Sequence, residues 1–104
     1  MKHLFLLLAI VSVFFISCKK EVQPGSATFY TTKNAGELIK LYINGSAGYI
    51  SQYYNGTPNC EAAGCYYVKL RPGTYTYTAS TSVKTITGII FIEENICNRV
   101  DINY

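Results

Sequence analysis

The side chains of this 104-residue chain with the widest chemistry are its four cysteines, Cys18, Cys60, Cys65 and Cys97, a scatter of carboxylates, and ten tyrosines. Its only histidine, His3, lies in an N-terminal stretch in which Met1-Lys2-His3 is followed by an apolar run from Leu4 to Ile16 and the small residue Ser17. A basic start, a short apolar run and a small residue are the parts of an export leader. The run is shorter than the roughly 20 apolar residues that span a bilayer as a helix. Once such a leader is removed no histidine is left, so neither a Ser-His nor a Cys-His nucleophile is expected. Glu37, Glu61, Glu93, Glu94 and Asp101 are the carboxylates from which a glycosidase-type pair would have to come. Glu93 and Glu94 fall in an expected turn, and the others are single charges on polar faces. Glycine-rich phosphate loops are absent. No catalytic residue, cofactor or enzymatic activity is expected.

The segment Phe15-Ile16-Ser17-Cys18 resembles a lipobox, the bacterial lipoprotein signal in which the cysteine is acylated and becomes the new N-terminus. The resemblance implies a signal peptide over residues 1–17 and lipidation of Cys18, with Phe15 standing where the pattern prefers leucine. Several acyl chains together anchor a protein stably where a single one does not. Ser17-Cys18-Lys19-Lys20-Glu21 is similar to the junction of lipoproteins from Bacteroidota-type envelopes, which implies attachment to the outer membrane, facing the periplasm or the exterior. Residues 18–26 then read as the lipidated cysteine and a polar tether ending in Pro24-Gly25-Ser26. Extended at about 3.3 Å per residue, residues 19–26 reach at most about 26 Å, which keeps the domain close to the bilayer.

An exported chain meets an oxidising compartment, and small domains there are often stapled. Cys60, Cys65 and Cys97 allow three single pairings. On the chain-entropy model the Cys60–Cys97 loop contributes about 3.5–4 kcal/mol and the short Cys60–Cys65 loop about 2 kcal/mol, which favours Cys60 with Cys97. Alternation turns both Cys65 and Cys97 away from the core, so Cys65–Cys97 competes. C-x4-C with one distant cysteine and no histidine is a poor zinc pattern, and no metal is expected. The formal net charge is only +3, and the basic residues Lys33, Lys40, Lys69, Arg71, Lys84 and Arg99 stand singly, without the stripe that nucleic acid requires. Tyrosine can stack on sugars or anchor an interface. Tyr42, Tyr49, Tyr53, Tyr54 and Tyr67 are the tyrosines that alternation leaves outside, and Tyr53, Tyr54, Tyr42 and Tyr67 form the candidate binding patch.

Residues 27–104 must position these groups, and they read as β-structure because apolar and polar residues alternate between regularly spaced turns. Strands are expected at Ala27–Thr32, Leu38–Ile43, Ala47–Tyr53, Tyr66–Leu70, Tyr75–Ala79, Thr85–Ile92 and Ile96–Tyr104. Asn44-Gly45 supplies a tight hairpin turn. Arg71-Pro72-Gly73-Thr74 has the composition of a type II turn closing a second and clearer hairpin between Tyr66–Leu70 and Tyr75–Ala79, and Thr85–Ile92 is expected to pair with Ile96–Tyr104. Inward faces are assigned to Ile39, Leu41 and Ile43, to Tyr66, Val68 and Leu70, to Tyr75, Tyr77 and Ala79, and to Val100, Ile102 and Tyr104. Lys33–Lys40 could add a single helical turn, and Tyr54–Gly64 reads as a polar loop. The expected fold is all-β, a small antiparallel sandwich of about seven strands.

Leu70-Arg71-Pro72-Gly73-Thr74-Tyr75, an L-x-P-G-T-Y unit followed by an alternating strand and a last hairpin, resembles carboxypeptidase-regulatory-like and PEGA-type sandwiches of transthyretin-like topology. With Asn44-Gly45, Pro58-Asn59-Cys60 and Cys97 in that order, residues 18–104 look like a group of small Bacteroidota lipoproteins of undefined function. The chain departs from that outline in having no tryptophan ahead of Gly88. The resemblance implies a fold and an envelope address and carries over no catalytic residues. The function expected is a noncatalytic, lipid-anchored accessory or interaction module displayed at the membrane, with an envelope protein or a polysaccharide as partner. Its alternatives are a carbohydrate-binding component and an inhibitor or subunit of an envelope complex.

Overall fold

The computed structural model describes residues 21–103; the expected leader 1–17, Cys18, Lys19, Lys20 and Tyr104 lie outside the described residues. Among the described residues seven strands form and no helix does: β1 Gly25–Tyr30, β2 Ile39–Ile43, β3 Ser46–Ile50, β4 Tyr66–Leu70, β5 Gly73–Ser80, β6 Thr85–Ile92 and β7 Cys97–Asp101. They make two sheets, one of order β4-β1-β7 and one of order β3-β2-β5-β6. The expected all-β sandwich is therefore present. It is antiparallel except for one pair, β1 with β7, which runs parallel with Ser26 opposite Cys97 and Tyr30 opposite Asp101. A parallel pair needs a long crossover, and here the crossover is everything from β2 to β6.

The local chemistry explains the hairpins. Asn44 and Gly45 both take positive φ, 49° and 77°, as a two-residue turn between twisted strands demands. β5 and β6 pair over their full length from Gly73·Ile92 to Ser80·Thr85. β4 and β7, by contrast, both pair with β1, so the hairpins expected between β4 and β5 and between β6 and β7 do not form. Gly73, at φ 156° in place of the type II turn value, carries the chain from one sheet to the other. The helical turn expected at Lys33–Lys40 does not form. Instead the Asn34 side chain accepts the Gly36 N–H at 3.0 Å, the local competition by which Asn favours turns over helix. β1 begins two residues before the expected strand, at Gly25. A Cβ on Gly25 would lie 2.1 Å from the Glu93 carbonyl oxygen, so only glycine lets β1 start beside the β6–β7 turn.

The core lies between the sheets. Ala27 and Phe29 of β1, Ile39, Leu41 and Ile43 of β2, and Ile50, Leu70, Ala79, Ile90, Ile92 and Ile102 are buried there. Phe29 is central: its ring lies 5.1 Å from Tyr77, edge-on, and 6.2 Å from Tyr66. Both tyrosine rings occupy space that a side chain would otherwise fill, because a Cβ at Gly48 would approach Tyr66 to 2.2 Å and one at Gly88 would approach Tyr77 to 2.4 Å. The Tyr66 hydroxyl then meets Ser46 Oγ at 2.6 Å, tying β4 in one sheet to β3 in the other.

Pairing defines two poles. At the near pole, where residues 21–24 lead into β1, lie the 71–72 and 93–95 turns. At the far pole lie the 31–38 loop, the 81–84 turn and both ends of the 51–65 loop. Gly48→Ala and Gly88→Ala should each destabilise the fold by about 1–3 kcal/mol, the usual cost of overpacking, because a tyrosine ring must leave its seat. Urea unfolding followed by tyrosine fluorescence measures this; Gly56→Ala, at a position open on all sides, should change it little.

Candidate functional site

β1 is buried along its whole length, on both faces. Its second face carries Ser26, Thr28 and Tyr30, and the 51–65 loop covers it at Thr28 and Tyr30. Polar groups this deep must be hydrogen-bonded, and the loop supplies the partners. The fully buried Thr28 Oγ1 accepts the Glu61 N–H at 3.2 Å, donates to Cys60 Sγ at 3.6 Å and lies 3.5 Å from Cys97 Sγ. Tyr30 meets Thr57 hydroxyl to hydroxyl at 3.3 Å. Cys60 and Cys97 are joined in a disulfide, Cα to Cα 6.3 Å, which fastens the loop to β7. Of the pairings open to the sequence, Cys60–Cys97 is the one that forms, and Cys65 remains a free thiol. Burial pushes the Cys65 thiol up from its ordinary pKa.

The loop begins and ends at the far pole, where the Ser51 N–H donates to the Gly64 carbonyl at 2.8 Å and the Tyr54 N–H to the Thr31 carbonyl at 3.0 Å. Between that end of the loop and the 31–38 segment opens a cleft of about 300 Å³, whose walls include Thr31, Lys33, Asn34, Leu38, Gln52 and Tyr53. The cleft has an apolar floor, where Ile39 and Ile50 reach it from the core, and a rim of amides, an aromatic ring and an ammonium group. Loops held on a rigid scaffold are where binding residues concentrate. One wall is braced: the Glu37 carboxylate accepts the Ser82 N–H at 2.5 Å and the Ser82 hydroxyl at 2.7 Å. The Ser82 N–H first, and its hydroxyl second, hold the Glu37 carboxyl below the usual range against a small opposing effect of burial.

The candidate tyrosines do not form one patch. Tyr53 is half exposed on the cleft wall. Tyr54, its neighbour in sequence, donates its hydroxyl to the Ala63 carbonyl and braces the loop. Tyr42 stands on the outer face of the four-stranded sheet, paired with Ala47 and Thr78. Tyr67 stands on the outer face of the other sheet, opposite Thr28, and lines a second cleft of about 280 Å³ at the near pole with Ser26, Lys69, Ile96 and Cys97. The carboxylates are also dispersed, with Glu37 at the far pole and Glu93 and Glu94 at the near one. Among the described residues no three His, Cys, Asp or Glu side chains gather as metal ligands.

Leu38, Asn34 and Gln52 were not legible as site residues, because a cleft built between two loops leaves no periodic trace. Thr28 had a weak signal, since the polar series Ser26, Thr28 and Tyr30 needs a cover if the strand is central.

Removing the disulfide with Cys97→Ala should lower stability by about 3.5–4 kcal/mol and free a second thiol, read by denaturation and by counting alkylated cysteines. Without reduction, Cys65 should be labelled and Cys60 and Cys97 should not, with Cys65 reacting more readily as pH rises toward its elevated pKa. The Ser82 amide resonance should titrate with a midpoint below 4.5, since a lowered carboxyl pKa keeps the Glu37 brace intact above that pH and releases it only under more acid conditions. In comparison with known proteins, the chain matches no protein-family model and no curated sequence, so function is read from this surface alone.

Proposed function

We propose that the protein is a noncatalytic, lipid-anchored module of the bacterial cell envelope that holds an interaction cleft away from the membrane. Cys18 carries the lipid, residues 19–24 are the tether, and the outer membrane is the address. The observation that carries this reading is the placement of the far-pole cleft. The tether joins the sandwich at Gly25, whereas the cleft opens beyond the other end of the same strand, beside Thr31. Six residues of strand at about 3.3 Å each put some 20 Å between the two ends. A ligand reaching the cleft is therefore not screened by the bilayer.

The partner that fits is an envelope protein inserting a polar loop with one apolar side chain, which would seat on Ile39 and Ile50 while Asn34 and Gln52 take its hydrogen bonds. A second reading is carbohydrate binding. Tyr53 is 51% exposed beside Asn34 and Gln52, and an aromatic face next to side-chain amides suits a sugar ring. Dispersal of the carboxylates, the braced state of Glu37 and the lack of histidine after Cys18 support a noncatalytic role.

Crosslinking on intact cells, followed by recovery of the lipidated protein and mass spectrometry of co-purified protein and glycan, tests this. A stoichiometric partner should be captured by the parent and by Tyr42→Ala and be lost with Tyr53→Ala. Tyr54 is not a useful target, because its hydroxyl holds the loop. Protein in the captured fraction supports the first reading and glycan the second. Equal recovery with all three forms, at the level of an unrelated lipidated domain, sinks both.

A further inference from the structure

We propose that the near pole rests on the lipid surface itself, with the outer face of β6 at Ile89 and Phe91 seated in the interfacial layer of the bilayer. This rests on the reading that Cys18 is acylated. The tether's last residues do not hang free of the domain: Gln23 donates its N–H to the Glu94 carboxylate at 2.8 Å, and Asn95 donates its N–H to the Pro24 carbonyl at 3.0 Å. Only residues 19–22 separate Cys18 from this docked segment. Fully extended, the span from Cys18 to Gln23 is at most about 18 Å. A cysteine held at the membrane thus holds the 93–95 turn, and the end of β6 that leads into it, close to the headgroups.

The surface presented there is not that of a solvated sheet. Along the outer face of β6 the residues run Thr85, Thr87, Ile89, Phe91 from the far pole to the near one, so polarity is lost toward the tether. The neighbouring outer face of β5 is threonine throughout, at Thr74, Thr76 and Thr78. Ile89 and Phe91 are each 67% exposed on a strand that is the edge of its sheet. Val22 and Ile96, beside the docked tether, are exposed as well. An edge strand is normally guarded by charge or proline, and β6 has neither. Lys69 and Arg71 are placed at the same pole by the pairing of Leu70 with Gly25, and there they offset the charge of Glu93 and Glu94 in the adjoining turn, so that the pole as a whole is not repelled by anionic headgroups. An aromatic and an aliphatic side chain entering the interface beside the acyl anchor give the protein a fixed orientation on the membrane.

The chain has no tryptophan, so a single one introduced is an unambiguous reporter. Full-length lipidated protein carrying Phe91→Trp is reconstituted into phosphatidylethanolamine–phosphatidylglycerol vesicles containing nitroxide-labelled phospholipid. Val83→Trp, at an exposed far-pole position, is the comparison. Ile89→Trp is run in parallel, so that the result does not hang on one substitution. Emission from positions 91 and 89 should shift to the blue and be quenched several-fold more than emission from position 83. Equal quenching at the three positions overturns the proposal, and so does a blue shift without lipid quenching, which would mean that protein, such as a second copy, covers β6. Intact mass of the N-terminal peptide from the same sample separates the two ideas. An unacylated Cys18 removes the anchor and this proposal with it, whereas an acylated Cys18 with unquenched reporters removes the seating alone.

Discussion

Much of this domain depends on one threonine hydroxyl. Thr28 sits in the middle of β1, the central strand of the three-stranded sheet, on the face turned away from the core. Left to water, that face would make the sheet a one-sided layer. The 51–65 loop covers it, and Thr28 Oγ1 is where loop, disulfide and strand meet, taking the Glu61 N–H while lying within reach of both sulfurs. A loop of this length without strand or helix of its own keeps a shape only when its ends and middle are tied. Its ends are closed by Ser51 and Gly64, its middle by Cys60–Cys97, and its interior by the Tyr54 hydroxyl. The cleft wall carrying Gln52 and Tyr53 inherits its position from those ties, which is why a disulfide remote from the cleft matters to it.

The other face of β1 is held by a different device. In a domain this small the two sheets offer little area to each other, and the core gains density by placing tyrosine rings over glycines. Tyr77 of β5 covers Gly88 of β6, its direct cross-strand partner, and Tyr66 reaches across the sandwich to Gly48. Each ring has an apolar body to bury and a hydroxyl to satisfy. Tyr66 solves the second need with Ser46, at the sandwich margin. Phenylalanine could fill the same space, but the link between sheets would be lost. The high tyrosine content thus has a structural use before any functional one, and among the exposed tyrosines Tyr42, Tyr49 and Tyr53 it is Tyr53 that lines the far-pole cleft.

How much of this was legible follows from the range of the interactions. Local alternation identified the inward residues of β2 and β5, Asn44-Gly45 marked its hairpin, and β6 ran from Thr85 to Ile92 as expected, because each of these depends on neighbours in sequence. Cys60–Cys97 was one of several pairings that spacing allowed. The choice between Cys60 and Cys65 was made by the fold of the loop, which carries Cys60 over β1 to Thr28. Alternation also reports only one covering layer, so it could not show that Thr28 is buried beneath a loop. The parallel pairing of β1 with β7 is the least local contact in the sheet and left no pattern at all. Tyr53 and Tyr54 illustrate the limit at the site: adjacent in sequence and alike in type, one lines the cleft while the other is bonded into the loop, and no periodicity distinguishes them.

β1 also connects the two ends of the molecule mechanically. At its start Gly25 is wedged against the Glu93 carbonyl, and just past its end the Thr31 hydroxyl donates to the Ile102 carbonyl at 3.2 Å. Between these points every residue is buried, and Ser26, Ala27, Thr28 and Phe29 are paired on both sides. No hinge can form within such a strand without breaking two ladders at once. The direction in which the far-pole cleft faces is therefore fixed relative to the point where the tether joins, and any freedom of the domain as a whole must lie before Gln23, whose N–H is already tied to Glu94. If the chain is held by Cys18, orientation at the membrane is set by residues 19–22 and by what β6 touches. The cleft cannot turn without the near pole turning with it, which makes the contact surface of the near pole a determinant of what the cleft can reach.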